Sequence, residues 1–568
     1  MSTNTELANM FQTMATVLEI SGANGFKVNA NVKVARALED LVEDVGTIDD
    51  ITSIQGVGKS SAAKIKEYLE TGAISSYNEL LASIPPGLLD VMKVQGLGPK
   101  TVGKLWKEAN VVDIASLQEA IQDGRLESLP RMGKKTIQNI TESIAFLATS
   151  ANRSRIGVAM PIAETLVSQL QQCDGVSNIS FAGSLRRGKE TIGDIDILAS
   201  TSEPAVLIDA FCDDTKVEKI LARGDTKCSV RIQAGMQIDL RIVDQNAFGA
   251  ALLYFTGSKE HNIILRERAI AKGKKLNEYG LFDASSNSLL ACSTEDEVYA
   301  ALETPWIPPE LREDRGELGC TATPALITSK DIKCDLHCHT TASDGHMSIQ
   351  ELAQQAIDRG FHTIAVTDHS QSQGQANGLK PDRLLKHIEA VHEVNEQMEG
   401  ITILAGSEVD ILPDGTLDYD DDLLSKLDIV VASPHAALSQ SSEDATKRLL
   451  KAIEHPRVDI IGHPTGRIIN KRKGLEPNLP TLIQAAKEHD TALELNANSY
   501  RLDLRDIQVR AACEGGARIA INTDAHRPED FNQLKYGILT ARRGWAMPEN
   551  CINCLEHDKL HAWLRRNC

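Results

Sequence analysis

The sequence predicts a multidomain α/β protein. Helical units come first, a mixed α+β region follows, and a (β/α)7 barrel closes the chain. Three observations carry this. A chain of 568 residues is too long for one core, so about three to five domains are expected. A pattern of apolar residue, tight glycine turn and lysine-bearing helix recurs in the front third. Fourteen of the fifteen histidines lie behind residue 330, where apolar runs alternate with helical patterns; only His261 precedes it. Hydrophobic residues at 42% and charged residues at 24% describe an ordinary globular chain. No apolar run approaches the length of about 18 residues that a membrane helix needs. The start, "MSTNTELANMF", lacks the basic and apolar regions of a signal peptide. The eleven scattered cysteines fit a reducing compartment, so a cytoplasmic location is expected. The net charge of −19 argues against bulk attraction to nucleic acid but leaves room for local basic surfaces. Boundaries are expected at 1–85, 86–150, 151–250, 251–302 and 332–568. The Pro- and charge-rich stretch 303–331 is expected to be a linker.

The helical units are defined by "IQGVGKSSAAKIKEYL" (54–69), "VQGLGPKTVGKLWKE" (94–108) and a weaker third copy, "LPRMGKKTIQNITE" (129–142). Gly56-x-Gly58 and Gly96-x-Gly98 allow a hairpin whose backbone N–H groups face outward at a helix N-terminus. Such groups bind a phosphate without reading sequence. The pattern resembles the helix-hairpin-helix motif, which implies non-specific binding of double-stranded DNA.

In "GSLRRGKETIGDIDIL" (183–198), Asp194 and Asp196 sit at i and i+2 of an apolar strand and share a face. "MQIDLRIV" supplies Asp239 from a second strand. Three such carboxylates suit two Mg2+ or Mn2+ ions that align an attacking hydroxyl and a leaving phosphate oxygen. Ser184 and Arg187, on a turn opened by Gly183, suit triphosphate oxygens. A D-x-D alone is often a strand end facing solvent; the turn ahead of it and the third aspartate make the signal specific. Here the sequence resembles the family X DNA polymerases and the wider nucleotidyltransferase superfamily. The match continues in "YFTGSKEHNIILRERA" (254–269) and "LNEYGLF" (276–282). The resemblance implies a palm over 151–250, a thumb over 251–302, and dNTPs as substrates. It implies nucleotide contacts from Gly183, Ser184, Arg187, Gly193, Gly257 and Asn262, and a template contact from Arg266. Tyr254 and Phe255 would crowd the sugar 2′ position. It also matches Lys64 to the Schiff-base lysine of family lyase domains. The chain departs from that pattern with Asn31 where an aromatic often stands and Ser60 where a phosphate-binding lysine can occur. On those departures Lys64 reads as a DNA-contacting or solvated lysine, with lyase chemistry as the alternative.

Behind residue 330, seven apolar runs are read as strands: "CDLHCH", "HTIAVTDHS", "ITILAGSEVD", "DIVVASPH", "VDIIGHP", "TALELNAN" and "ARIAINTDAH". Nearly every run closes on a metal-ligand residue type. In parallel β/α barrels, strand carboxyl ends converge on one rim. The set that obeys this rule is His337, His339, Asp344, His369, Glu408, His435, His463, Asp524 and His526. His346, His362, His387, His392, His455 and His489 lack the position, and Cys338 alternates to the opposite face. Imidazole with carboxylate suits Mn2+, Zn2+ or Fe2+. The pattern resembles the PHP (polymerase and histidinol phosphatase) domain. That resemblance implies up to three ions and attack on phosphorus by metal-activated water. His337, His339, Glu408 and Asp524 would hold one ion. Glu408, His435 and His463 would hold a second, and Asp344, His369 and His526 a third. Arg467 in "GHPTGRI" is either a phosphate contact or a surface residue.

The resemblance covers nearly the whole chain. It implies a bacterial-type family X DNA polymerase for short-gap repair, joined to a PHP 3′–5′ exonuclease, 3′-phosphatase or abasic-site endonuclease. Expected partners are gapped, nicked or 3′-ended duplex DNA and dNTPs, with no membrane, bound by a monomer. The alternatives are a DNA-binding scaffold with a vestigial polymerase pocket and an active PHP site, or a fused small-molecule phosphatase. The presence of all three palm aspartates weighs against the scaffold.

Overall fold

The computed structural model describes residues 3–564 other than 40, 42–43, 95, 131, 151–152 and 234. Gln95 and Arg131 of the hairpin repeats, and the expected 150/151 boundary, fall outside the described residues. The chain divides into two compact units: Met1–Ala151 with Asn470–Lys473, and Asn152–Ile469 with Gly474–Cys568.

The first unit is helical. Its leading helix, Thr3–Ser21, buries Leu7, Phe11 and Met14 against Val34, Ala35 and Leu38 of the helix Gly25–Glu39. The spacing of those apolar residues puts them on one stripe. The two glycine hairpins share one backbone form. Gly56 and Gly96 adopt φ of +96° and +89°, which only glycine takes without strain. Val57 N donates to the Ile54 carbonyl at 3.0 Å, and Leu97 N to that of Val94 at 3.1 Å. The third copy repeats the turn, Met132 N to the Leu129 carbonyl at 3.2 Å, ahead of the helix Lys134–Ser150.

The second unit opens with a five-stranded sheet in the order Val176–Phe181, Asp194–Thr201, Gln237–Ile242, Lys227–Ile232, Val217–Arg223. Ile195, Ile197, Ile238 and Leu240 bury one face beneath the helix Ile156–Leu170. The two central strands run parallel and set Asp196 opposite Asp239. Next come the helices Phe248–Thr256 and Lys259–Ala271 and a three-stranded antiparallel sheet.

The segment 303–331, expected as a linker, does not run as a tether. Ile307, Leu311, Leu318 and Leu326 enter the same apolar core as Leu253 and Leu265. Arg312 and Glu317, charged residues of this segment, are buried because they are paired. Arg312, fully buried, donates to Glu295 at 2.7 and 3.0 Å, and Glu317 lies 2.7 Å from the Nδ1 of buried His261. Reading charge as exposure failed here because both partners of each pair go inside together.

The last part is a barrel of seven parallel strands in sequential order: Cys334–Asp335, Thr363–Val366, Thr402–Asp410, Ile429–Ser433, Ile460–Ile461, Ala492–Asn496 and Ile519–Asn522. A parallel bridge between Cys338 and Ala525, with His339 N donating to the Ala525 carbonyl at 2.8 Å, joins the last strand to the first. Strands covered on both faces read as continuous apolar runs, as these do.

Candidate active sites

The palm carboxylates meet at the parallel strand pair. Asp194 is exposed, Asp196 half-buried and Asp239 buried. Gln237 Nε2 donates to Asp239 Oδ1 at 2.9 Å, and Lys227 Nζ stands 3.8 Å from its other oxygen. Burial, then the neighbouring charges of Asp194 and Asp239, push Asp196 up to about 6. Crowded acids of this kind are what a divalent cation relieves. Gly183 has φ +60°, and a Cβ there would lie 2.3 Å from Asp196 Oδ2. The glycine thus opens the space in which the carboxylate sits. Ser184 follows in the short turn Gly183–Arg186, and a Cβ on Gly193 would stand 3.2 Å from the Arg153 guanidinium.

The side chain of Arg187 is already engaged within the protein. Its Nε donates to Glu313 Oε1 at 3.0 Å and its Nη1 to the Thr256 carbonyl at 2.5 Å. Tyr254 is 37% exposed, which separates it from the core aromatics. It meets Phe255 edge-on at 5.1 Å, and Arg241 stands over the Phe255 ring at 4.6 Å. Gly257 ends that helix at φ +70°. Asn262 Nδ2 donates to the Tyr254 carbonyl at 2.7 Å and Arg266 Nε to the Asn262 carbonyl at 3.3 Å. Tyr254, Asn262 and Arg266 line one small hollow.

In the helical unit, Gly58 and Gly98 cap the helices Lys59–Thr71 and Pro99–Ala109 without a side-chain hydrogen bond, leaving the leading N–H groups to solvent or a ligand. Lys64 is half-buried, and its amine is lowered by burial against the opposing effect of Glu67. Asn31 is buried and donates to the Lys27 carbonyl at 2.8 Å; Ser60 is exposed.

The barrel rim brings the nine strand-end residues together. Glu408 is the hub. Its Oε1 lies 3.4 Å from His337 Nε2, 3.2 Å from His435 Nε2 and 2.9 Å from His463 Nε2. Its Oε2 lies 2.8 Å from His369 Nδ1 and 3.6 Å from His339 Nε2. Asp524 Oδ1 lies 3.1 Å from His339 Nε2 and 3.7 Å from His337 Nε2. Asp344 lies 3.6 Å from His369 Nε2, 3.4 Å from His526 Nε2 and 3.7 Å from His339 Nδ1. Despite these approaches, His337 Nε2, both His339 nitrogens, His369 Nδ1 and both Glu408 oxygens are buried without an aligned hydrogen bond. Buried polar atoms are almost always hydrogen-bonded. Lone pairs that converge without bonding to one another fit shared cations. Donor atoms close enough to share an ion form overlapping groups. His339 stands with Asp344, His369 and His526 as well as with His337 and Asp524, and His369 joins Glu408 and His435. An imidazole presents two nitrogens, so one ring faces two neighbours.

Charge is balanced within the cluster. Burial, then cationic His526 and His369, hold His339 down at about 4. Burial disfavours the His526 cation, but Asp344 and Asp524 outweigh it and raise the ring to about 9. Behind the rim stand further residues: Glu494 and Asp410 escaped sequence reasoning, while Asp368 and Asn496 close apolar runs but stand outside the expected ligand set. Glu494 accepts from His463 N at 2.6 Å and lies 2.8 Å from His337 Nδ1; Asp410 lies 2.5 Å from His435 Nδ1. Asn496 donates to Asp524 at 3.0 Å, and Asp368 binds Thr340, Ser343 and His387. Such partners fix the tautomer and angle of a ligand ring. Their only sequence signal is a carboxylate or amide inside an apolar strand. Arg467 is 3% exposed and pairs with Glu190 at 2.5 Å, so it is not a surface residue.

Comparison with known proteins finds family matches along the chain. A DNA polymerase beta thumb model matches residues 251–313 and a PHP domain model residues 335–498. A helix-hairpin-helix domain model matches 2–74, and a SAM-like helix-hairpin-helix tandem 88–145. The chain is 39% identical over 565 residues to the DNA polymerase/3′-5′ exonuclease PolX of Bacillus subtilis (strain 168), covering 99% of both. A Caldanaerobacter subterraneus protein named as a probable phosphatase is 33% identical over 243 residues, 41% of this chain and 90% of its own length. A protein of the same description from Thermoanaerobacter sp. (strain X514) is 35% identical over 243 residues, 41% of this chain and 94% of its own.

Proposed function

The chain belongs to the family X DNA polymerases that carry a C-terminal PHP domain, and on that premise we propose that it is a DNA-directed DNA polymerase and a metal-dependent 3′–5′ exonuclease and phosphoesterase acting on one DNA end. Its substrates are dNTPs and gapped, nicked or 3′-ended duplexes, and it works as a cytoplasmic monomer. Among the described residues, no helix is long and apolar enough to cross a membrane.

One observation carries the two-activity reading: the chain holds two separate clusters of acidic or imidazole donors, each in need of cations. The palm offers only carboxylate oxygens, which suits Mg2+ or Mn2+. The barrel offers imidazole nitrogen with carboxylate, which suits Mn2+, Zn2+ or Fe2+. When bound, such ions supply Lewis-acid charge at phosphoryl oxygens and lower the pKa of water. Asp194, Asp196 and Asp239 would hold the palm ions, and Gly183 keeps room for the Asp196 carboxylate. Ser184 and Arg187 orient the triphosphate, Asn262 and Gly193 the nucleoside side, and Arg266 the template. Tyr254 and Phe255 close on the sugar edge. In the barrel His337, His339, Glu408 and Asp524 would hold one ion. Glu408, His435 and His463 would hold a second, and Asp344, His369 and His526 a third. Gly56, Gly58, Gly96 and Gly98 present backbone N–H groups to DNA phosphates. Lys64 contacts DNA rather than forming a Schiff base: Asn31 is spent on its own helix and Ser60 brings no charge.

The test is separation of function on a labelled gapped duplex with Mn2+. Asp239→Ala should abolish extension and leave 3′ degradation within about twofold, while His339→Ala should do the reverse, since removal of a group acting in the reaction costs about 10³-fold or more. Loss of both activities in either folded variant would sink the two-site reading.

A further inference from the structure

The turn that opens with Gly183 is held from behind by the barrel domain. The helix Leu534–Arg543 runs against it. Gly188 has φ +65°, and a Cβ there would lie 3.2 Å from Leu539 Cβ, so a bare backbone lets the helix approach. At the end of the same helix Arg543, 3% exposed, donates from Nη1 to the Arg187 carbonyl at 2.7 Å and to Glu313 Oε1 at 3.0 Å. That oxygen also accepts from Arg187 Nε at 3.0 Å. Arg543 is itself aimed by Asp506, whose Oδ2 accepts from Nε at 3.1 Å and Nη2 at 2.9 Å, and which also pairs with Arg315 at 3.0 Å. Burial works against the Glu313 charge, but Arg543, Arg187 and Lys189 outweigh it and hold the acid at about 2. The carboxylate shared by the two arginines is therefore ionised at neutral pH.

We infer that Arg543, on the PHP side, is a positioning residue for the polymerase site: through the Arg187 carbonyl and Glu313 it sets where the Arg187 guanidinium stands to meet a triphosphate. The inference rests on Arg187 being a triphosphate contact. Two effects act in one direction. Without Arg543 the Arg187 carbonyl loses its donor and the turn loosens. Glu313 then has one arginine fewer and binds Arg187 more strongly, in competition with the nucleotide. Both weaken triphosphate binding more than the chemical step.

The experiment is steady-state gap filling by the full chain with dNTP titration, with 3′ degradation of the same preparations as the control. Arg543→Met should raise the dNTP KM by about tenfold while kcat and 3′ degradation stay within about twofold; Arg543→Lys, which restores the charge, should recover part of the KM. Combined with Glu313→Gln, the KM effects should be non-additive, because the two residues share one contact. Arg187→Lys separates the premises. If it raises KM but Arg543→Met does not, the positioning role is wrong. If neither does, the reading of Arg187 fails first. Should Arg543→Met not fold, Asp506→Asn, which loosens the same guanidinium, carries the test: a raised KM supports the role and an unchanged one overturns it.

Discussion

At the scale of single residues, Gly183 shows how a backbone position serves a side chain elsewhere. Its φ of +60° is left-handed, and a methyl group would lie 2.3 Å from Asp196 Oδ2. Gly183→Ala therefore combines a conformational cost of about 1–2 kcal/mol with displacement of the central palm carboxylate. Extension should fall by about 100-fold, the scale of a roughly 1 Å misplacement at a reacting centre. Degradation from the 3′ end should persist, since the barrel carries that site. Comparing both rates on one gapped duplex checks this, and equal loss of both would mean the substitution acts on folding. The palm aspartates were legible because i, i+2 carboxylates in an apolar strand share a face. Glu494 and Asp410 were not. In "TALELNAN" the residues closing the run drew attention, whereas Glu494 lies within the strand and touches His337 from behind. A carboxylate that serves a ligand looks, in sequence, like one that faces water.

At the scale of elements, the strand-end rule worked because parallel strands bring residues distant in sequence to one rim. It picked out nine residues that the barrel brings to one rim; which of them share an ion also turns on ring rotation, which a sequence does not carry, and His339 and His369 each face two neighbouring sets. The linker reading failed at the same scale, since 303–331 buries Arg312 against Glu295 and lends four apolar side chains to the core. The hairpins make a separate prediction. Gly56 and Gly96 both need φ near +90°, which a β-branched residue does not tolerate. Gly56→Val with Gly96→Val should distort both turns and withdraw their N–H groups from phosphate. Duplex affinity should fall about tenfold and equally for unrelated sequences, because phosphate contacts carry no sequence information. Fluorescence anisotropy on two unrelated duplexes measures it. Weakening confined to one duplex would mean that the hairpins read bases.

At the scale of the whole molecule, the question is why a polymerase carries a metal-dependent phosphoesterase. Extension needs a free 3′ hydroxyl as nucleophile, and damage leaves 3′ phosphates in its place. A phosphoesterase on the same chain would convert a blocked end into a usable one, and covalent linkage would raise the effective concentration of the second site. With Mn2+ and dNTPs, the intact protein should therefore extend a gapped primer ending in a 3′ phosphate. His339→Ala should extend only the 3′-hydroxyl primer, and Asp239→Ala should remove the phosphate without extending. Mixing the two full-length variants should restore some extension of the blocked primer, at a rate that falls on dilution, whereas the intact protein should be far less sensitive to dilution. If the intact protein leaves the 3′-phosphate primer untouched yet shortens a 3′-hydroxyl strand, the barrel does not clean ends. The cluster around Glu408 then belongs to a nuclease that trims or proofreads the strand the palm has made.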